Sequence, residues 1–347
     1  MGTFICSISE RDWTLSRRLG IYGNKIGRVR DDTYREFAPL IKYSIIRDLV
    51  GMNVGDKLFF HVISPNGSRV HGIYQVRQEP YFDQKLVWDD DYETFPYRFL
   101  YEPCPEYLPL CNNDASIHVP EFYELIESGA IWTLATLENE RNIESRSVRK
   151  IEGADETGAI LRLLHRDFHL NQVNNAEPFR LLENKQVDVS SELRNHIGNI
   201  GRYENAVKAN LMYRLGKDPA SIIEEFADVS DFMNEVFIAQ TTRKSIDILC
   251  IRNKPNEARD FFICEVKTDL CDERSLEQVL YYKDLFVRNK TYNIANDNVI
   301  GCLIGKRFSQ ETITYARALA NVSVFGEVWL LEYNPINDGN DAGFRKL

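Results

Sequence analysis

The chain has 347 residues, 44% of them hydrophobic and 27% charged, and a net charge of −10. That length exceeds one ordinary core and that balance is globular, which excludes a mainly disordered chain, a collagen and a coiled-coil rod and makes two domains the expectation. No stretch reaches the ~18–20 apolar residues of a membrane helix, and the acidic total argues against a nonspecific polyanion binder while leaving room for a local basic groove.

The first residues, Met1–Cys6, show no basic region followed by an apolar one, so they do not read as a secretory signal, and the expected location is the cytoplasm. Seven cysteines are scattered without a CxxC pair, so neither a zinc site nor a disulfide framework is expected. No P-loop or dinucleotide fingerprint occurs, so no nucleotide cofactor is implied.

In chain order, the first half reads as β-rich. Phe4–Ile8 is a short strand, and Lys57–Ile63 is another, closed by a turn at Pro65-Asn66-Gly67. Arg69–Arg77 alternates and pairs with it as a hairpin. Val119–Ser128 reads as a helix stopped by Gly129, and Ile131–Leu137 as a further strand. Many short strands with little helix point to a small barrel. The polar stretch Asp167–Asn184 reads as a linker, giving domains 1–165 and 191–347 with 166–190 between them.

The second half alternates helix and strand. Ser190–Leu215 reads as a helix ended by Gly216, then come strands Val236–Ile238, Ser245–Ile251 and Phe261–Lys267. A helix over Arg274–Arg288, a strand Val299–Ile304, a helix Ser309–Ala320 and a strand Val322–Glu332 follow. This is α/β grammar, a sheet flanked by helices. The Gly/Asn/Asp-rich tail from Asn337 reads as frayed.

Chemistry concentrates in the second half. Glu265 and Lys267 alternate on one face of an apolar strand, where an acid and an ammonium are costly to bury without partners. If the preceding strand pairs with it as a hairpin, Asp247 lies beside Glu265, and two acids and a lysine converge at one sheet edge. Glu204 shares a helical face with Val207, Leu211 and Leu215, so it is an acid on an apolar stripe. Gln278 and Tyr282 are one turn apart on a later helix. Two carboxylates can hold Mg²⁺ or Mn²⁺, and a lysine can stabilise developing negative charge or orient an attacking water. The other reading is a structural ion pair on an ordinary α/β domain.

The ordered set Glu204, Asp247, Glu265-Val266-Lys267 and Gln278-Val279-Leu280-Tyr281-Tyr282 resembles the PD-(D/E)xK nuclease superfamily, with a Gln-xxx-Tyr like that of RecB-type and NucS-type members. The resemblance spans roughly Ile197 to Glu332, and Ile246 rather than proline precedes Asp247. It implies a restriction-endonuclease-like α/β fold and a Mg²⁺-dependent endodeoxyribonuclease. Asp247 and Glu265 would be metal ligands, Lys267 the catalytic lysine, and Glu204 and Gln278 supporting residues.

The first half is dense in aromatics. Most read as barrel core, yet Trp13, Trp88 and Tyr97 have polar sequence neighbours, and aromatics in polar loops suit a pocket for a flipped base. The blocks Trp13, Tyr22-Gly23-Asn24, Gly55–His61, Val70–Val76, Pro80–Asp83, Trp88 and Pro96–Phe99 resemble, in that order, the EVE/YTH branch of the PUA-like superfamily. The resemblance implies a modified-base cage drawn from Trp13, Tyr22, Asn24, Trp88 and Tyr97, with Ser7 and Ile8 adding hydrogen bonds to the base edge. The segment Arg11–Arg35 also carries Arg17, Arg18, Lys25, Arg28 and Arg30, diluted only in part by Asp31 and Asp32, either as a solvated surface or as a phosphate-contacting rim.

Together the two resemblances imply a modification-dependent endonuclease in two domains, α+β and α/β, suited to restriction of modified foreign DNA in defence. DNA with modified bases is the expected partner, ahead of RNA, and a homodimer would supply two cutting sites. The alternatives are a repair or processing nuclease that reads structure, and a non-catalytic nucleic-acid-binding protein with a decayed nuclease fold.

Overall fold

The computed structural model describes residues 1–30, 33–88, 95–134, 146–171, 176–238, 244–255, 258–289, 297–319 and 326–347. The chain divides into two compact units, Met1–His196 and Ile197–Leu347, each a mixture of helix and sheet. Among the described residues no helix is long and apolar enough to cross a membrane.

The first unit begins with β1 (Thr3–Ser9), α1 (Glu10–Leu19), β2 (Ile21–Asn24), β3 (Gly27–Arg30), β4 (Thr33–Glu36) and α2 (Pro39–Leu49). The Ser9 side chain caps α1 by accepting from the Asp12 N–H, and Gly20 ends it at φ 63°. A side chain at Gly20 would collide with the Tyr101 carbonyl. Then come β5 (Lys57–Ile63), β6 (Arg69–Phe82), β7 (Tyr97–Pro103), α3 (Leu108–Asn112), β8 (Ser116–His118), α4 (Val119–Glu127), β9 (Val148–Ile151) and α5 (Asp155–Asn171). The main sheet runs β2-β7-β6-β5-β1-β9, with β8 paired to β6 and with β1 parallel to β5.

The expected hairpin is present as β5–β6, though β6 runs on to Phe82. The expected barrel is a curled sheet whose end strands are joined by side-chain hydrogen bonds, with no ladder between them among the described residues. The Tyr22 hydroxyl on β2 donates to the carbonyls of Ser7 and Ser147, at 3.0 and 2.8 Å. Alternation along β5 builds two cores. Phe59 packs with Ile73, Ile117, Phe122, Ile160 and Leu164 under α4 and α5. Phe60 faces an aromatic interior, 4.7 Å from Tyr101 and 5.0 Å from Trp13.

Helix is more abundant in this unit than expected. The strand expected over Ile131–Leu137 is not formed in its described part, and residues 135–137 lie outside the described residues. Instead, buried Glu156 on α5 accepts from the N–H groups of Trp132 and Thr133 and from the Thr133 hydroxyl. The expected linker 166–190 is also corrected. It begins inside α5, and residues 180–185 are bound to α1 through Arg180 N–H to the Arg18 carbonyl and to β6 through a reciprocal pair between Gln78 and Lys185. These bonds make it part of the first unit.

The second unit holds α6 (Glu204–Lys217), β10 (Asp231–Phe237), β11 (Ser245–Asn253), β12 (Arg259–Cys271), α7 (Glu273–Asn289), β13 (Asn298–Phe308), α8 (Gln310–Leu319), β14 (Val328–Ile336) and β15 (Asp341–Lys346). Its sheet runs in simple order from β10 to β15. Strands β12, β13 and β14 are parallel, with α7 and α8 in their crossovers, and the outer pairs are antiparallel. The long helix expected over Ser190–Leu215 is shorter. Asn199 and Gly201 take φ of 57° and 93°, so regular helix begins at Glu204 and then runs through Gly216. The expected frayed tail is also corrected. Strand β15 pairs with β14, and Asp341 accepts from Asn210 and Arg214. The end of the expected strand at Val322–Glu332 is β14; residues 322–325 lie outside the described residues.

Candidate functional site

In the second unit the expected residues gather where β11 and β12 adjoin, inside the sheet and not at the edge expected. Glu265 and Lys267 share a face of β12, and the Lys267 ammonium donates to Glu265 Oε1 at 2.6 Å. Gln278 on α7 donates to the same oxygen at 2.7 Å and to the Tyr282 hydroxyl at 2.9 Å. Asp247 on β11 lies one residue beyond the Ile248–Cys264 pair, and its Oδ2 accepts from the Val266 N–H at 2.8 Å. The Glu265 carboxylate thus has one oxygen holding two donors. Its Oε2 is buried and meets no hydrogen-bond partner.

Two residues that sequence reasoning missed complete the cluster. Lys208 on α6 is 5% exposed, and its ammonium meets Asp247 Oδ1, Glu235 Oε1 at 3.2 Å and Glu204 Oε1 at 3.2 Å. Glu204 therefore reaches the cluster through Lys208. Glu235 on β10 has φ 52°, an uncommon conformation for a non-glycine strand residue, and its other oxygen accepts from the Ser245 hydroxyl at 3.0 Å. The available signal was the i, i+4 pair Glu204–Lys208 on a stripe that also holds Leu211 and Leu215.

Charge crowding sets the electrostatics. Burial and the nearby Asp247 charge push Glu265 up to about 7, against the pull of Lys267 and Lys208. Burial raises Asp247 as well; Lys208 opposes this, while Glu235 and Glu204 add to it. Burial acts against the Lys267 charge, but the hydrogen bond and charge of Glu265 outweigh it and hold the ammonium above its ordinary value. No group of three or more His, Cys, Asp or Glu side chains is gathered for a metal among the described residues. Asp247 and Glu265 instead offer two carboxylates, with Glu265 Oε2 open. That donor set fits Mg²⁺ or Mn²⁺, hard cations that keep several waters and take one or two protein carboxylates beside a phosphate.

The first unit carries a cavity of ≈ 330 Å³, at the small end of ligand pockets. Five of the seven expected residues line it: Ser7, Ile8, Tyr22, Asn24 and Trp88. Phe37, Phe95, Asp12 and Lys25 add aromatic wall and charge. Trp88 packs on Phe95 at 5.0 Å and lies under the Arg98 guanidinium at 5.6 Å. Asn24 sets its amide beside the Tyr22 hydroxyl, and its buried Nδ2 meets no hydrogen-bond partner.

Trp13 and Tyr97 do not line this cavity. Trp13 is on the inner face of α1, 5.0 Å from both Phe60 and His71, with its N–H donated to Asp114 at 3.3 Å. Tyr97 is buried on β7 against Phe82 at 5.5 Å. Arg17, read as part of a basic segment, is buried as well and donates to the carbonyls of Cys111 and Glu177.

Gly23 sets the cavity's shape. A Cβ there would stand 2.7 Å from the Phe95 Cβ and 3.0 Å from the Trp88 ring. Gly23→Ala is expected to push Phe95 and Trp88 from their places at a cost of roughly 1–3 kcal/mol, read as a lower denaturation midpoint and a changed tryptophan emission.

No family model matches the chain, and no curated protein matches it. Among solved structures, the chain is similar to human THYN1 protein in complex with 5-methylcytosine-containing DNA, at 12% identity and a TM-score of 0.28, over 47% of this chain and 98% of that one. It is similar to the DUF55 domain of human thymocyte nuclear protein 1, at 13% identity and a TM-score of 0.26, over 47% and 98%. It is also similar to an Mmi1 YTH domain in complex with RNA, at 11% identity and a TM-score of 0.29, over 51% and 84%. Each likeness spans about half of this chain.

Proposed function

We propose that the protein is a Mg²⁺- or Mn²⁺-dependent endonuclease that takes a modified base into the cavity of its first unit and hydrolyses phosphodiester bonds at the carboxylate–lysine cluster of its second. The observation that carries the reading is Glu265. Its Oε1 is held by Lys267 and Gln278 while the buried Oε2 has no partner, beside a second acid, Asp247.

A bound divalent cation would polarise the phosphodiester and lower the pKa of water. The chain's own groups then divide the work. Asp247 and Glu265 would hold the cation, and the Val266 N–H fixes Asp247 by donating to its Oδ2. Lys267 keeps its proton beside Glu265 and can turn that charge on the developing negative oxygen or on the attacking water. Gln278, tied to Tyr282, holds Glu265 Oε1, which would leave the buried Oε2 free to accept a cation. In the first unit, Trp88, Phe95 and Tyr22 offer aromatic surface to a base, and Asn24 Nδ2 offers a donor to its edge.

The test is cleavage of matched duplexes with Mg²⁺ or Mn²⁺, one unmodified and the others each carrying one common modified base, with Lys267→Ala as control. The expected result is cutting confined to one modified duplex and lost in the variant. Equal cutting of every duplex would remove base recognition, and cutting of none would remove the nuclease reading.

A further inference from the structure

Strands β3 and β4 form a two-stranded ribbon of their own, separate from the main sheet. The ribbon springs from the cavity wall. Asn24 and Lys25 precede it and Phe37 follows it, and all three line the cavity. The Phe37 N–H donates to the Ile26 carbonyl at 2.7 Å and closes its base.

The register pairs Arg28 with Arg35 and Arg30 with Thr33. Alternation therefore puts Arg28, Arg30, Thr33 and Arg35 on one face. Glu36 falls on the other face, where Tyr34 lies across Gly27: a Cβ on Gly27 would stand 2.7 Å from the Tyr34 hydroxyl. The three arginines are exposed. Arg28 and Arg35 stand directly opposite each other, an arrangement that costs stability because like charges repel across a strand pair. Among the described residues neither makes an ion pair. A chain with net charge −10 thus sets Arg28 and Arg35 side by side on a ribbon that flanks its aromatic cavity, with the acids Asp31 and Asp32 between the two strands in sequence.

We infer that the arginine face of this ribbon binds the sugar-phosphate backbone of the nucleic acid whose base enters the cavity. The inference rests on the function proposed above. Charge complementarity selects the occupant, since phosphates relieve the Arg28–Arg35 repulsion and supply the acceptors that guanidinium forks need. The spacing agrees. Arg28 and Arg30 are two residues apart on an extended strand, about 6.8 Å, and a nucleic-acid strand carries one charge per about 3.4 Å of helix axis. A two-stranded ribbon is also an element that a duplex groove admits.

The experiment uses the full chain and the matched duplexes, with binding followed by fluorescence anisotropy over a series of salt concentrations without divalent cations. The double variant Arg28→Ala/Arg35→Ala is expected to bind roughly tenfold more weakly at low salt and to lose about 2 from the slope of log K on log salt. The loss should be the same for every duplex, so the preference for the modified one is kept. The Arg28→Lys/Arg35→Lys variant should keep the slope, and thermal unfolding of the alanine variant should be unchanged or slightly later. An unchanged slope and affinity in the alanine variant, with the wild type binding, overturns the ribbon inference alone. A wild type that binds no duplex overturns it together with the proposed function.

Discussion

Glu265→Gln is expected to lower cleavage by roughly 10³-fold, about 4 kcal/mol of lost transition-state stabilisation, without unfolding the protein. The amide is isosteric, and its carbonyl can still accept from Lys267 and Gln278, the two donors that hold Oε1. What disappears is the charge at Oε2, the buried oxygen that meets no hydrogen-bond partner. Stability gives an independent readout. Burial and Asp247 raise Glu265 to about 7 in the folded protein, above its ordinary 4.5. A carboxyl raised in this way stabilises the fold while protonated and loses that contribution as pH rises from about 4.5 through about 7. In chelator, the wild type should therefore weaken relative to the glutamine variant across that window. Adding Mn²⁺ at pH 8 should stabilise the wild type and leave the variant nearly unmoved. Denaturation midpoints at pH 5 and pH 8, with and without Mn²⁺, check both parts. A variant that cuts as well as wild type would show that Glu265 is a structural partner of Lys267.

Where side chains alternate strictly, the sequence could be read nearly to the residue. The strand Lys57–Ile63 is observed with the same bounds, and the hairpin partner differs only in how far it continues. The cluster around Glu265 could be read for a related reason. Alternation on β12 puts Glu265 and Lys267 on one face, and helical spacing puts Gln278 and Tyr282 on another element's face. Both are local rules. Lys208 and Glu235 could not be read in that way. Lys208 reads as an ordinary i, i+4 partner of Glu204 until the fold brings Asp247 and Glu235 to it as well. Glu235 reaches the cluster through a backbone φ of 52°, which no propensity encodes.

The aromatic residues were legible as a class and not one by one. Trp13 has Arg11 and Asp12 as sequence neighbours, which looks like a polar loop. On a helix those neighbours point elsewhere, and the face that Trp13 shares with Ser16 and Arg17 is the buried one. Burial of an arginine with its carbonyl partners hides the apolar stripe that would have marked α1. Tyr97 is caught by the same logic, since Arg98 beside it is itself buried and tied to the Phe95 carbonyl at 2.6 Å. Trp88 reaches the cavity because Gly23 leaves room for its ring. That close approach belongs to the tertiary fold.

Lys208→Met should have the largest effect on stability, about 3–5 kcal/mol in the metal-free protein, as expected when one partner of a buried ionic cluster is removed. Methionine keeps the length of the stem, so the loss isolates the charge. Without the ammonium, Asp247, Glu235 and Glu204 face one another with no counter-charge at their centre. The carboxyls would then take up protons more readily, so the deficit should be largest near pH 8 and shrink as pH falls toward 5. A divalent cation does what protons do. If Lys208 stands in for the metal's charge when the site is empty, Mn²⁺ should recover more stability in the variant than in the wild type, where the ammonium must first give up Asp247 Oδ1. Urea denaturation at pH 8 in chelator and in Mn²⁺ makes the comparison. Equal recovery in both proteins would mean that the ammonium and the cation do not compete, and that Lys208 serves the fold alone.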